Sequence, residues 1–226
     1  MAKLLLNTEG KVLISNDKVL KAPEVENRLK NLLDTTKSCR YLFYSYKGTS
    51  VDELIKYNDT ENCLRTDYMF QYCSNLEKQT LLNTAKSESI RAMYYGCQKI
   101  KEIKLITDNV NDIGTAFSGC YSLESIDLTS VDKVTNAGNT AQFIMQCYRL
   151  KKLIIRNMTK IPPIRTDTIY SDTYHFTGTV NSTYNPDGLK DGRIYVPDNM
   201  VESLKTATNW SVYADIIVPL STLQEE

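Results

Sequence analysis

The residues of this chain that could carry chemistry are six cysteines and one histidine, His175. Cysteines can form disulfides, bind a metal or act as nucleophiles. No two of them are spaced as C-x-x-C, and one histidine gives very weak support to a four-ligand zinc site. His175 lies in the polar stretch Y-S-D-T-Y-H-F, where a loop or edge position is the ordinary explanation. Because phosphate-binding glycine motifs are absent too, we expect no catalytic residue, no cofactor and no metal.

Four of the cysteines begin copies of one phrase. The template is C-x-x-[LI]-x-x-[ILQ]-x-[LI], and it recurs at spacings of 24, 23 and 27 residues from Cys73, Cys97, Cys120 and Cys147. Such recurrence predicts a repeat array, in which each repeat buries its apolar side only against its neighbours. The four cysteines would form one buried column of reduced thiols. Cys39 and Cys63 fall outside that column, and we assign them to another inward position.

Three mostly apolar columns follow the cysteines and predict a sheet. The period-two alternation at the end of each phrase is typical of a short strand with one buried face. The columns are Leu76/Ile100/Leu123/Leu150, Gln79/Ile103/Ile126/Leu153 and Leu81/Leu105/Leu128/Ile155. Stacked side by side, these strands would form a parallel sheet. A degenerate copy precedes them with Gly48 in the cysteine column, and another ends at Ile194 and Val196 after a loop inserted at Asn181–Gly192.

The repeated phrases resemble a known family. A-F-S-G-C-Y-S-L-E-S-I-D-L and M-F-Q-Y-C-S-N-L-E-K are similar to leucine-rich repeats of the BspA-like type, which occur in bacterial surface proteins and bacteriophage proteins. The segment that begins G-R-I-Y-V-P-D-N-M resembles the usual closing segment of such proteins, so the likeness covers roughly residues 40–220. The resemblance implies a leucine-rich-repeat fold and a binding role. It brings no catalytic residues and names no ligand.

The predicted fold is an α/β-type repeat solenoid, a leucine-rich-repeat array with a short-stranded parallel sheet. Residues 1–22 form an N-terminal β-hairpin with a turn at Gly10, and residues 23–34 form a capping helix. The repeats occupy residues 35–197, and residues 198–226 form a C-terminal helical cap. In that cap, Asp198 is predicted to cap a helix that buries Val201 and Leu204.

Composition excludes several classes of partner. Lys+Arg and Asp+Glu number 27 each, so net charge gives no reason to expect nucleic acid. The longest apolar run near the start, Leu4-Leu5-Leu6, is followed by polar residues, which predicts neither a secretion signal nor a membrane span. Fifteen tyrosines are the one compositional sign of recognition, and both core packing and binding would explain them.

The outward strand positions are the candidate partner-binding residues. They share no residue type, as expected if they serve recognition rather than packing, although a merely solvated sheet face is the alternative. They are Lys78, Thr80, Glu102, Lys104, Ser125, Asp127, Lys152, Ile154 and Arg156.

The N-terminal hairpin carries more apolar side chains than a two-stranded hairpin can hide. We therefore predict that it attaches the protein to a larger assembly or to copies of itself, with folding back over the first repeat as the alternative. The assembly residues are Leu4, Leu5, Leu6, Val12, Leu13 and Ile14.

The expected function is that of a non-enzymatic binding or structural protein. The resemblance and the lack of a secretion signal favour a bacteriophage virion component, such as a fibre, tail or capsid-attached adhesin. Such a protein would be made in the host cytoplasm, and its partners would be other virion proteins or a host surface molecule. An intracellular bacterial scaffold for protein interactions is the alternative.

Overall fold

The computed structural model describes residues 33–52, 54–78, 81–165 and 192–224, together with the backbone of three short strands nearer the N-terminus. Several predicted features lie outside these residues: most of the capping helix, Thr80, His175, Leu4 and nearly all of the Asn181–Gly192 loop. The side chains of the other assembly residues lie outside them as well. The N-terminal strands are β1 (Leu5–Leu6), β2 (Val12–Ile14) and β3 (Lys18–Val19), and they pair antiparallel in that order.

The main sheet has five parallel strands in chain order. They are β4 (Glu102–Leu105), β5 (Ser125–Ser130), β6 (Lys152–Asn157), β7 (Arg193–Val196) and β8 (Ile217–Pro219). Their inward residues stand in register in one buried row, which consists of Ile103, Ile126, Leu153, Ile194 and Ile217. The predicted apolar columns are therefore confirmed from Cys97 onwards.

The repeat that begins at Cys73 departs from the prediction. Leu81 was expected to point inward, but it is 62% exposed, whereas the next residue, Leu82, is 2% exposed. A shift of one residue exchanges the two faces of an extended segment, which explains why the neighbour is buried instead. The polar Gln79 in an apolar column is the sequence feature that accompanies this shift. The first strand of the main sheet is β4, in the following repeat.

The segments before each cysteine stack as turns, and we call residues 41–46, 67–73, 91–97, 114–120 and 141–147 the turn wall. Backbone N–H groups donate to carbonyls of the next repeat: Phe43 to Met69 at 2.9 Å and Phe70 to Met93 at 2.8 Å. Buried aromatic rings follow the same order, with Phe43 stacked on Phe70 at 5.5 Å and Phe70 on Tyr94 at 5.1 Å. Buried aromatic residues of the turn wall therefore fill the core on this side.

Two positions of every repeat in the turn wall have a left-handed backbone. The residue five before the cysteine has φ between 51° and 59°, in Tyr41, Tyr68, Ala92, Thr115 and Gln142. The residue directly before the cysteine has φ between 56° and 74°, in Ser45, Tyr72, Gly96, Gly119 and Gln146. This conformation costs a residue with a Cβ about 1–2 kcal/mol. Only two of these ten positions hold the glycine that would avoid the cost.

The column cysteines link neighbouring repeats as well as filling the core. Each thiol donates a hydrogen bond to a carbonyl of the preceding repeat, such as Cys73 to Phe43 at 3.0 Å and Cys120 to Tyr94 at 3.1 Å. Each cysteine N–H also donates to the carbonyl three residues earlier, and Tyr46 makes that bond to Phe43 at 2.9 Å. Tyr46 therefore occupies the cysteine position of the first repeat, and the assignment of Gly48 to it was wrong.

Cys39 and Cys63 are joined by a disulfide, which the sequence analysis did not predict. Both are buried, as expected, but the stacking of the chain also brings their Cα atoms to 6.0 Å. The cause is the ladder of parallel bridges Ser38, Arg65, Ser89 and Asp112, in which Ser38, directly before Cys39, pairs with Arg65, two residues after Cys63. Closing a loop of 24 residues contributes about 3 kcal/mol to stability in the chain-entropy account.

The C-terminal segment covers the last strands of the sheet. It contains the helix Val201–Thr206 and the 3₁₀ helices Asp198–Met200, Ser211–Ile216 and Leu220–Thr222. Val201 and Leu204 are buried as predicted. Asp198 does not cap the helix: its carboxylate accepts the N–H of Ser221 at 3.0 Å, which ties the end of the chain back to the cap. No helix among the described residues has the length and apolar character needed to cross a membrane.

Candidate protein-binding face of the sheet

The outward residues of β4, β5 and β6 form two rows across the sheet. Glu102, Ser125 and Lys152 stand opposite one another in the first row, and Lys104, Asp127 and Ile154 in the second. Parallel strands lie about 4.8 Å apart, so neighbours in a row are within reach of one another. The structure thus brings together most of the partner-binding residues that the sequence predicted.

A groove of about 500 Å³ lies over the start of this face. Five predicted partner-binding residues line it: Lys78, Glu102, Lys104, Ser125 and Asp127. Three further lining residues were not predicted, namely Glu77, Lys101 and Ile103. The lining is dominated by charged side chains of both signs, so the groove suits a polar protein surface better than an apolar ligand.

Asp127 is the centre of an ion network, although it was predicted to be exposed. Its side chain is 10% exposed, and its carboxylate lies 2.8 Å from Nη2 of Arg156 and 3.7 Å from Nζ of Lys104. Nε of Arg156 donates to the same carboxylate at 2.9 Å. A carboxylate removed from water needs such partners. Asp127 therefore positions two cations, Lys104 and Arg156, on this face of the sheet.

Ile154 was also predicted to be exposed, and this is wrong because the residue is only 5% exposed. It stands in register between Asp127 of β5 and Tyr195 of β7. Strands on both sides lie about 4.8 Å away, so the side chains of these neighbours limit the access of water to Ile154. Ile154 thus divides the outer face, with the charged groove on one side and Tyr195 on the other.

The comparisons with known proteins place these repeats in a family. A family model described as a BspA type leucine rich repeat region matches residues 41–179 in six copies. The chain belongs to the BspA-type leucine-rich-repeat family. The searches of curated proteins and of solved structures give no match. The family assigns the BspA-type repeats a protein-protein binding or structural role, which agrees with a regular sheet whose outward residues vary from strand to strand.

Each BspA-type repeat also places a charge four residues after its cysteine, at the entrance to the strand. These residues are Glu77, Lys101, Glu124 and Lys151, whose signs alternate. Lys151 lies 2.8 Å from the carboxylate of Glu124, and this hydrogen bond holds the pKa of Glu124 below its ordinary value. The recurring charge at a fixed distance from the cysteine was the signal that could have added Glu77 and Lys101 to the predicted partner-binding residues.

The column thiols of the BspA-type repeats are buried and donate hydrogen bonds to the preceding repeat. Burial raises the pKa of the Cys147 thiol to about 12 and raises the pKa values of Cys97 and Cys120 well above the ordinary range. A thiol is a nucleophile only when it is deprotonated, so these groups are inert at neutral pH. Within the described residues, no three His, Cys, Asp or Glu side chains form a group that could hold a metal ion.

Proposed function

We propose that this protein is a non-enzymatic binding protein that holds a protein partner on the outer face of its sheet, at the groove beside Asp127. The observation that carries the proposal is the ion network in that groove. Lys104 keeps 66% of its side chain exposed while it pairs with the buried carboxylate of Asp127. A cation that is already held by its neighbours loses less conformational entropy when a partner binds.

The different residue types on the two faces of the sheet support this proposal. Inward positions repeat apolar residues because each repeat must fill the same core, as in Ile103 and Ile126. Outward positions have no such demand, and they hold Lys104, Asp127 and Ile154 in one row. Specificity for a partner can therefore change on this face without loss of the fold.

We further propose that the partner is a virion protein or a molecule of the host surface, and that this protein is a bacteriophage virion component. Support comes from the BspA-like type of the repeats, which occurs in phage proteins and bacterial surface proteins. The predicted assembly segment, residues 1–21, would attach the protein to the particle or to copies of itself. An intracellular bacterial scaffold is the alternative, and the identity of the partner separates the two.

Site-specific photo-crosslinking in the native host tests the proposal. A photoreactive residue at Lys78, which lines the groove, is expected to capture one protein reproducibly. The same residue at the exposed Lys133, outside the groove, is the matched control. Capture of a virion protein supports the virion role, whereas capture of a cytoplasmic protein supports the scaffold. Equal capture from both positions would contradict binding at the groove.

Loss of charge in the groove provides the quantitative test. Lys78→Gln with Lys104→Gln should weaken binding of the captured partner by about tenfold, because two favourable charge contacts are removed. Glutamine is preferable to glutamate at Lys104, since a second carboxylate there would repel Asp127. Lys133→Gln with Lys205→Gln removes the same charge elsewhere and should leave the affinity unchanged.

A further inference from the structure

We propose that the turn wall carries a second binding surface, and that it binds an acidic segment of a partner protein. It consists of Arg40, which directly precedes the turn wall, and of Tyr41, Tyr44, Tyr68, Tyr72 and Tyr95, and we call it the tyrosine surface. It belongs to the first three repeats and is independent of the groove on the sheet. Tyr41, Tyr44 and Tyr72 expose 42%, 47% and 43% of their surface, so these rings are not core residues.

The rings of the tyrosine surface touch one another in an unbroken chain. Tyr41 stacks on Tyr68 with centroids 4.7 Å apart and meets Tyr44 edge-on at 5.9 Å. Tyr44 meets Tyr72 at 5.7 Å, and Tyr72 meets Tyr95 at 5.3 Å. Each ring is therefore held in place before any partner arrives. Preordered tyrosines present a large contact area at little cost in entropy, which is why they are common in protein interfaces.

The equivalent positions of other repeats indicate that the fold does not need the ring of Tyr72. Tyr41, Tyr68 and Tyr72 occupy left-handed positions, with φ of 59°, 59° and 62°. The position of Tyr72 is taken by Gly96 and Gly119 in the next two repeats, where the same fold forms without a side chain. The left-handed backbone recurs in every repeat of the turn wall, but tyrosine occupies it only in the first two. Exposure and mutual contact of the rings thus coincide in one part of the turn wall.

The charge beside the rings determines the chemistry of the partner. The guanidinium of Arg40 lies 5.7 Å from the ring of Tyr41 and 5.8 Å from that of Tyr68. Arg40 and Arg65 share one carboxylate, the buried Asp67, at 2.6 Å and 2.8 Å. Two guanidinium groups thus share one carboxylate, and Arg40, whose side chain is 43% exposed, is the cation that borders the rings. A carboxylate on the partner would complete this arrangement.

The ring geometry favours a peptide over a sugar. A sugar ring stacks on an open, flat aromatic face, but Tyr41 and Tyr68 cover each other at an interplanar angle of 7°. Tyr44 and Tyr95 meet Tyr72 edge to face at 82° and 86°, so this surface is not one flat stacking platform. Apolar side chains flanked by carboxylates match this mixed surface, and an extended acidic segment supplies both.

A displayed library of random 12-residue peptides, selected on the purified full chain, tests the proposal. The enriched peptides should combine Asp or Glu with aliphatic or aromatic residues. One of them, synthesised with a fluorescent label, is then titrated by anisotropy. We expect Tyr44→Ala with Tyr72→Ala to weaken it by about tenfold or more, because Tyr and Arg dominate binding energy at such surfaces. Arg40→Gln should weaken it by about fivefold or more and reduce its salt dependence.

Two controls separate this surface from the rest of the molecule. Tyr121 and Tyr148 are another stacked pair at 5.5 Å, with Tyr121 40% exposed, so Tyr121→Ala with Tyr148→Ala removes equivalent rings elsewhere. That variant and Lys104→Gln, which tests the sheet groove, should both leave the peptide affinity unchanged. Thermal melting of each variant shows whether it is folded. If the double tyrosine variant does not fold, Arg40→Gln still tests the surface, because Arg40 is exposed.

Several results would overturn the proposal. The first is a library that yields no peptide whose binding depends on the tyrosine surface, and the second is a set of enriched peptides that lack acidic residues. The third is a peptide that binds the parent and the variant Tyr44→Ala with Tyr72→Ala with equal affinity. Glycan-array binding that this variant abolishes would assign the surface to a sugar. If light scattering shows that the parent is a dimer and the variant is a monomer, the surface binds a second copy of the chain.

Discussion

The left-handed positions of the turn wall predict opposite effects for two substitutions in neighbouring repeats. Gly119 and Gln146 occupy the same position, directly before the cysteine, with φ of 74° and 63°. Glycine adopts this conformation without steric cost, and glutamine does not. We therefore expect Gly119→Ala to destabilise the protein and Gln146→Gly to stabilise it.

The magnitude follows from two opposing terms. The left-handed backbone costs a residue with a Cβ about 1–2 kcal/mol. Glycine offsets this advantage by about 0.4–1 kcal/mol, because an unfolded chain with glycine loses more conformational entropy when it folds. An ideal Cβ on Gly119 would lie 3.5 Å from the nearest atoms, which belong to the backbone of Gly96, so no collision adds to the cost. The net change is about 1 kcal/mol in each direction, or about 2–4 °C in Tm for a chain of this length.

Denaturant and thermal unfolding measure both variants, and Gln71→Gly is the matched control. Gln71 is half-buried in the same wall and has the same residue type, but its φ is not positive. It should therefore lose about 0.4–1 kcal/mol. If Gln146→Gly is destabilised as much as Gln71→Gly, or if Gly119→Ala is as stable as the parent, the left-handed assignment is wrong.

Four further predictions concern the core, the thiols, the charges and the N-terminus. Ile126→Ala should cost about 2–5 kcal/mol and Ser125→Ala about 0.5 kcal/mol or less in denaturant melts, and equal effects would contradict the assignment of faces. A thiol reagent should find no reactive group in the native protein and four thiols after denaturation without reductant, as the disulfide and the four column cysteines require; six thiols would exclude the disulfide. The hydrogen bond from Lys151 lowers the pKa of Glu124, so its small contribution to stability is present above the ordinary pKa of about 4.3 and is lost as the pH falls through the lower folded value. An NMR titration in which Lys151→Gln leaves that pKa unchanged would refute the pairing. Deleting residues 1–21 should leave a folded monomer that no longer assembles, and a lost cooperative melt would instead assign the segment to the core of the array.

The apolar core could be predicted from the sequence because it repeats. Columns such as Leu76/Ile100/Leu123/Leu150 are buried throughout, since stacked repeats face the same requirement at the same position. The prediction of buried columns failed in repeats that do not follow the common pattern. Near Leu81 the chain shifts by one residue, and in the first repeat Tyr46 replaces the cysteine, so residue type alone did not mark the register.

The candidate site could be predicted only as a face, and not as an arrangement of charges. Alternation within each strand identified Lys104 and Asp127 as outward residues, which the register confirms. It could not show that Asp127 is buried between Lys104 and Arg156, because those cations come from two other strands. The burial of Ile154 has the same origin, since its cover includes Tyr195 of a strand that is distant in sequence.

The sequence by itself determined the repeat, the inward columns and the family, because these depend on local periodicity and on the need of every repeat to bury the same stripe. The tertiary structure decided which residues meet across repeats: Cys39 with Cys63, Arg40 with Asp67, and the rings of the tyrosine surface. It also decided the left-handed backbone of Tyr72 and Gln146, whose residue types do not favour it. The physical reason is that hydrogen bonds between stacked repeats impose the backbone conformation, and side chains from different repeats then become neighbours.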